Sequence, residues 1–198
     1  MIALGIDPGT LKLGWGIVLR QGNRLSHVAH GIIRLNGKAP LATRLTHIDR
    51  ELTSVLDEYQ PQVSSVETLF FHKDAQAAAK LGHARGVVLL SLARAGLQVF
   101  EYAPAKVKRT VAGAGRADKR QVALMMQMLL QLERLPGPDA TDALALAVTH
   151  LRLGAGTERF EQARQALKSR ASAHRRKLSE QRRGAGPGPL IQAIGTIK

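Results

Sequence analysis

The sequence contains no cysteine. That absence removes disulfides and thiolate-bound zinc or iron–sulfur centres, and it fits a reducing compartment. No export signal is visible, because Asp7 interrupts the first short apolar run and no small-residue cleavage region follows. Long hydrophobic runs are missing too. Stretches such as Gly86–Leu90 fall far short of the roughly 20 residues that a membrane span requires. Acidic residues are scarce relative to basic ones, with 15 Asp and Glu against 29 Lys and Arg, a formal charge of +14. Internal repeats are absent as well. A soluble, cytoplasmic protein with no membrane partner is therefore expected.

The positive charge is not confined to one end. Residues 158–198 hold ten Lys/Arg and three Glu, and the preceding part holds nineteen against twelve, so each carries +7. A folded body that is basic in its own right attracts polyanions, although charge alone does not choose between DNA, RNA, ribosomes and acidic lipid. The 198 residues leave room for one compact domain plus a tail, given about 100–200 residues per domain.

Patterning divides the body into strands and helices. Ile2–Ile6 is a short apolar run closed by the turn signal Asp7-Pro8-Gly9. Gly16–Leu19 and Ser26–Leu35, separated by Gln21-Gly22-Asn23, complete a three-stranded antiparallel meander. Leu41, Leu45, Ile48, Leu52, Val55, Leu56 and Tyr59 then fall on one helical stripe, with Pro40 in its first turn and Pro61 beyond its end. A strand at Val63–Glu67, a helix from about Asp74 to Ala95 and a strand at Val99–Tyr102, closed by Pro104, follow. Two more helices are expected at Lys119–Leu132 and from Pro138 to about Leu151. Strand–helix alternation in the middle requires parallel pairing with helices on both sheet faces, an α/β mixed sheet. Residues 1–153 form the expected domain. Residues 154–198 read as a basic tail, mobile by itself, in which Arg159–Leu178 could form a helix when bound.

Acidic residues stand where chemistry is usually placed. Asp7 ends the first strand, Glu67 ends the fourth, and Asp139 and Asp142 open the last helix on one face, with Leu146 continuing their row. Each has a plainer reading alone: a turn residue, a solvated strand end, a partner of the helix dipole, a solvated helix position. Their combination is more specific. Carboxylates packed together raise one another's pKa, and divalent cations relieve that cost. Mg²⁺ takes hard oxygen ligands, and two ions about 3.5–4 Å apart can clamp both the attacking and leaving oxygens of phosphoryl transfer. A basic protein with converging carboxylates thus points to metal-assisted phosphodiester hydrolysis.

Gly5-Ile6-Asp7-Pro8-Gly9-Thr10, Val66-Glu67, Lys80-Leu81-Gly82-His83-Ala84-Arg85-Gly86, Phe100-Glu101-Tyr102-Ala103-Pro104, Val107-Lys108 and Asp139-Ala140-Thr141-Asp142-Ala143-Leu144-Ala145 occur in this order. Over roughly residues 1–153 the chain resembles the RuvC family of crossover (Holliday) junction endodeoxyribonucleases. The resemblance implies an RNase H-like fold and a homodimer that places paired nicks across four-way junction DNA in recombination and repair. It also implies that Asp7, Glu67, Asp139 and Asp142 are the catalytic acids and hold two Mg²⁺ or Mn²⁺ ions. Ions so held would activate water for in-line attack and leave 5′-phosphate and 3′-hydroxyl ends. Asp7, on the central strand, is the candidate to bridge both ions. A branch-migration complex of RuvA and RuvB type proteins is the implied partner.

The same resemblance gives Phe70 a base-stacking position and places Lys108 and Lys119 near the scissile strand. Lys73, in the same segment as Phe70, is a further candidate DNA contact. Phe71 stays open between core and DNA contact, and Arg109, Arg116 and Arg120 enlarge the basic patch. Val87–Leu92 could serve the core or a dimer contact; His72, close to Glu67, could touch substrate, whereas His27, His30, His47, His83 and His150 show no metal-ligand spacing. Three rivals remain at this stage. One is a nucleotide-binding protein, because Gly5–Thr10 also resembles the first phosphate loop of sugar kinases and actin-like ATPases. The others are a non-cutting binder of branched nucleic acid and a nuclease acting on RNA or hybrids.

Overall fold

The computed structural model describes residues 1–68 and 74–154. Phe70, Phe71, His72, Lys73 and the expected basic tail after Gly154 lie outside the described residues. Five strands, β1 (Ile2–Asp7), β2 (Lys12–Gln21), β3 (Arg24–Arg34), β4 (Val63–Glu67) and β5 (Val99–Tyr102), form one sheet in the order β3-β2-β1-β4-β5. β1, β2 and β3 pair antiparallel, whereas β4 runs parallel to both β1 and β5. The helices are α1 (Leu41–Tyr59), α2 (Ala75–Arg94), α3 (Pro104–Ala112) and α4 (Lys119–Leu130), followed by α5 over residues 138–154. This is the mixed sheet with helices on both faces that the patterning implies.

Alternation along β1 assigns the layers. Leu4 and Ile6 enter a core with Leu13, Ile17, Ile33 and Val66, covered by the buried stripe Ile48, Leu52, Val55 and Leu56 of α1 and by Val88 and Leu92 of α2. Ala3 points the other way, into a core with Val18, Val107 and Val111 of α3, Val122, Met126 and Leu130 of α4, and Leu144–Val148 of α5. Because side chains alternate, Gly5 and Asp7 share the face of Ala3. Cross-strand pairing sets Gly16 beside Gly5 and Gly14 beside Asp7. That glycine floor lets α5 lie directly on the strands. A Cβ at Gly5 would stand 1.9 Å from the Ala143 carbonyl oxygen, and one at Gly14 would stand 2.0 Å from that of Asp139.

Several boundaries differ from the sequence reading. Helix α3 is not expected from the sequence: Pro104, which closes β5, also opens a helix at a first-turn position, where its missing N–H costs nothing. β2 begins at Lys12 instead of Gly16, since Gly14 and Gly16 weaken the apparent strand while serving the contact with α5. Pro40 sits just before α1 and not within its first turn. α4 stops at Leu130, where Gln131 turns left-handed with φ of 52°. No helix among the described residues is long and apolar enough to cross a membrane.

Candidate active site

β1 and β4 are parallel and adjacent, with Ile6 opposite Val66, so Asp7 and Glu67 emerge side by side at the same end of the sheet. Both project toward the α5 face by strand alternation. α5 rests on the glycine floor and brings its first two turns over that end. A cleft of about 250 Å³ opens there, lined by Asp7, Glu67, Asp142, Lys108, Lys119, Pro104, Val107, Val122 and Leu146. Three of the four expected acids and two of the four expected DNA contacts thus share one cleft. Asp139 does not line it, but it is close enough to act electrostatically on Asp7. Leu146 is buried, as its place on the acidic row implies.

Crowding of like charge shows in the protonation equilibria. Burial, reinforced by Glu67, Asp142 and Asp139, pushes the Asp7 carboxyl from 3.8 up to about 7, and Lys119 opposes the shift. Burial and Asp142 also raise Glu67, against the pull of Lys119 and Lys108. Lys119 donates to Asp142 Oδ2 at 3.3 Å. Asp142 and this hydrogen bond raise the lysine's own pKa, so it stays charged. The cleft is therefore a cluster of negative charge with an apolar wall and two cationic arms.

Whether these donors suit a divalent ion can be judged from their chemistry. All are carboxylate oxygens, the hard ligands that Mg²⁺ and Mn²⁺ accept, and Asp7, raised by burial and then by its acidic neighbours, is a group whose charged form a bound cation would favour. Among the described residues no three Asp, Glu or His side chains converge into a finished cage. An incomplete protein shell suits Mg²⁺, which keeps several waters and takes oxygens from substrate phosphate. The donor set fits such ions.

Arg85, within the Lys80–Gly86 motif, positions the acidic end of β4. It lies on α2 with 7% of its surface exposed. One guanidinium nitrogen donates to the backbone carbonyl of Glu67, and another meets Glu101 Oε2 on β5 at 2.6 Å. Arg85 thereby fixes the end of β4 that carries Glu67. The available signal was a charged residue in the apolar run of α2, since a buried guanidinium needs partners. His150 serves structure: its Nδ1 lies 2.9 Å from the Tyr102 hydroxyl, and Phe100 packs on its ring at 4.4 Å.

The family model described as crossover junction endodeoxyribonuclease RuvC matches residues 3–150. A crossover junction endodeoxyribonuclease RuvC from Sorangium cellulosum is 58% identical over 151 residues, covering 76% of this chain and 84% of the relative. One from Parvibaculum lavamentivorans is 48% identical over 157 residues, covering 79% and 90%. The RuvC of T. thermophilus, solved in complex with a Holliday junction substrate, matches with a TM-score of 0.74 at 36% identity, covering 78% of this chain and 97% of that one. A yeast mitochondrial Holliday junction resolvase shares the fold at a TM-score of 0.62 and 12% identity, covering 83% and 85%.

Proposed function

This chain belongs to the RuvC family of crossover junction endodeoxyribonucleases, and from that premise we propose that its acidic cleft resolves Holliday junctions by paired symmetric nicks. The products carry 5′-phosphate and 3′-hydroxyl ends. One observation carries the reading: Asp7, Glu67 and Asp142, from three separate segments, line a single cleft with Lys108 and Lys119. A protein that only bound branched DNA would gain nothing from holding Asp7 at the cost of so large a shift.

Asp7, Glu67, Asp139 and Asp142 are the residues to hold two Mg²⁺ or Mn²⁺ ions. Such ions supply Lewis-acid stabilisation of the attacking and leaving oxygens in phosphodiester hydrolysis. Asp7, on which Glu67, Asp142 and Asp139 all act electrostatically, would be the candidate to contact both ions. Lys108 and Lys119 bind the phosphate next to the cut and offset charge gathering on it. Lys119 is ion-paired with Asp142, and a cation on Asp142 would free its ammonium for DNA. Val107, Val122 and Leu146 limit water at the wall of the cleft, which strengthens each electrostatic contact within it.

Phe70 and Lys73 complete the proposed DNA contacts, Phe70 by stacking on an unpaired base at the crossover. Phe70→Ala should lower junction cutting more than thermal stability; equal losses would assign it to the core. Symmetric nicking needs two copies of the site, so the working form is a homodimer. A branch-migration complex of RuvA and RuvB type proteins would present the junction to it.

Labelled four-way junction, linear duplex and RNA–DNA hybrid, each incubated with the protein and Mg²⁺, test the reading together. Cutting confined to the junction, at symmetric positions, is expected. Equal cutting of the hybrid would assign the site to another polymer, and binding without cutting would leave a recognition module.

A further inference from the structure

A second cleft, of about 650 Å³, lies between the end of β3 and the first half of α1. Arg34, Arg44, His47 and Arg50 line it, and no carboxylate does. Arg50 is bonded to Glu51 and to His47 Nδ1, so its charge is partly offset. Among the described residues neither Arg34 nor Arg44 has a carboxylate partner. The Nε of Arg44 is buried without a hydrogen-bond partner. Arg34 and Arg44, from different elements, line it together with the exposed Thr43 and Thr46, an anion-seeking composition.

Its position relates it to the acidic cleft. Asp7 pairs with Gly14 and Gly14 with Ile32, so Asp7 and Ile32 lie on one line across the sheet, two strands apart. Arg34 follows two residues further along β3, opposite Lys12. With strands about 4.8 Å apart and a rise of about 3.3 Å per residue, the Cα atoms of Asp7 and Arg34 are roughly 12 Å apart. Arg44 donates to the Thr10 carbonyl at 3.2 Å, which ties the cleft to the loop that follows Asp7. The second cleft is lined by α1, which covers the sheet face opposite α5, while Arg34 leaves β3 on the face of Asp7 by strand alternation, and both clefts lie at the same end of the sheet. A DNA strand crossing that end would meet both.

We propose that the Arg34–Arg44 cleft is a second phosphodiester-binding site, which holds the backbone of a junction arm a short way from the cut. The proposal rests on the nuclease reading of the acidic cleft. The chemistry it recognises is an anionic phosphate oxygen met by two guanidinium groups. Free inorganic phosphate offers the same chemistry, and the test separates the two sources.

The measurement is junction binding by the full chain, followed by fluorescence anisotropy in the absence of divalent ions between about 50 and 200 mM salt. Arg34→Ala and Arg44→Ala should each lower the slope of log affinity against log salt by about one. Each should also weaken binding roughly five- to tenfold at about 0.1 M salt. Arg34 is exposed at a strand end, so Arg34→Ala carries the test alone should the loss of the Thr10 contact unfold Arg44→Ala. Unchanged slopes overturn the proposal. So does saturable uptake of inorganic phosphate that Arg34→Ala abolishes without altering the junction slope, which would assign the cleft to a free anion. If the parent protein binds no junction at all, the nuclease reading fails and takes this site with it. A parent that binds and cuts while both variants keep its slope removes only the second site.

Discussion

Asp7 shows most directly how local physics becomes chemistry at a single position. Its carboxyl stands at about 7 against an ordinary 3.8, because it is buried among Glu67, Asp142 and Asp139. Between those values the folded protein binds a proton that the unfolded chain has released. This group's contribution therefore favours folding at low pH and is lost as pH rises from about 4 to 7. In ion-free buffer, melting temperature should fall across that window, and Asp7→Asn should flatten the fall and melt higher than the parent at pH 8. Mg²⁺ should raise the parent's melting temperature at pH 8 and raise that of Asp7→Asn less, since at a given ion concentration the stabilisation grows with the affinity of the folded state for the ion. Equal pH profiles for the two proteins would show that Asp7 is not the crowded carboxylate. Arg85 works at the same scale by holding the Glu67 carbonyl. Arg85→Ala removes a buried cation while its partner Glu101 remains about half exposed. The cost should be about 2 kcal/mol in urea unfolding, below the roughly 3–5 kcal/mol of breaking a fully buried pair.

Elements decide whether the carboxylates meet. α5 can approach β1 and β2 because Gly5, Gly14 and Gly16 leave no side chains beneath it. A methyl at Gly14 would collide with the Asp139 backbone and lift the helix end that carries two of the four acids. Gly14→Ala should therefore lose junction cleavage to a greater extent than junction binding, and lose roughly 1–3 kcal/mol of stability by overpacking. Unaltered cleavage would mean that the seating of α5 does not set the site. This contact explains what was legible in the sequence. Apolar runs and the Leu41–Tyr59 stripe marked strands and α1, because burial imposes a period on them. The end of β1, and so Asp7, followed from the turn signal Asp7-Pro8-Gly9, and Glu67 from the end of the short run Val63–Glu67. The glycines of β2 had the opposite effect, erasing the strand signal over Lys12–Trp15 while making the site possible. α3 was missed because Pro104 stops a strand and starts a helix with the same residue. The nearness of α5 to Asp7 could not be read from periodicity, which reports the face of an element and not its neighbour.

At the scale of the whole molecule, the chain combines an excess of +14 with an acidic cleft, and a net charge of that sign attracts polyanions. Two cationic stations, Lys108 with Lys119 and Arg34 with Arg44, lie at the same end of the sheet as that cleft. Junction affinity should accordingly fall steeply with salt for the parent protein, and a flat dependence would count against phosphate contacts at either station. The central question is whether the acidic cleft does the cutting. Four-way junction binding and Mg²⁺-dependent nicking, measured side by side for the parent and for Asp7→Asn, test this most directly. The variant is predicted to bind the junction as tightly as the parent and to produce no nicks. Nicking by a clean preparation of the variant, at a rate near the parent's, would contradict it.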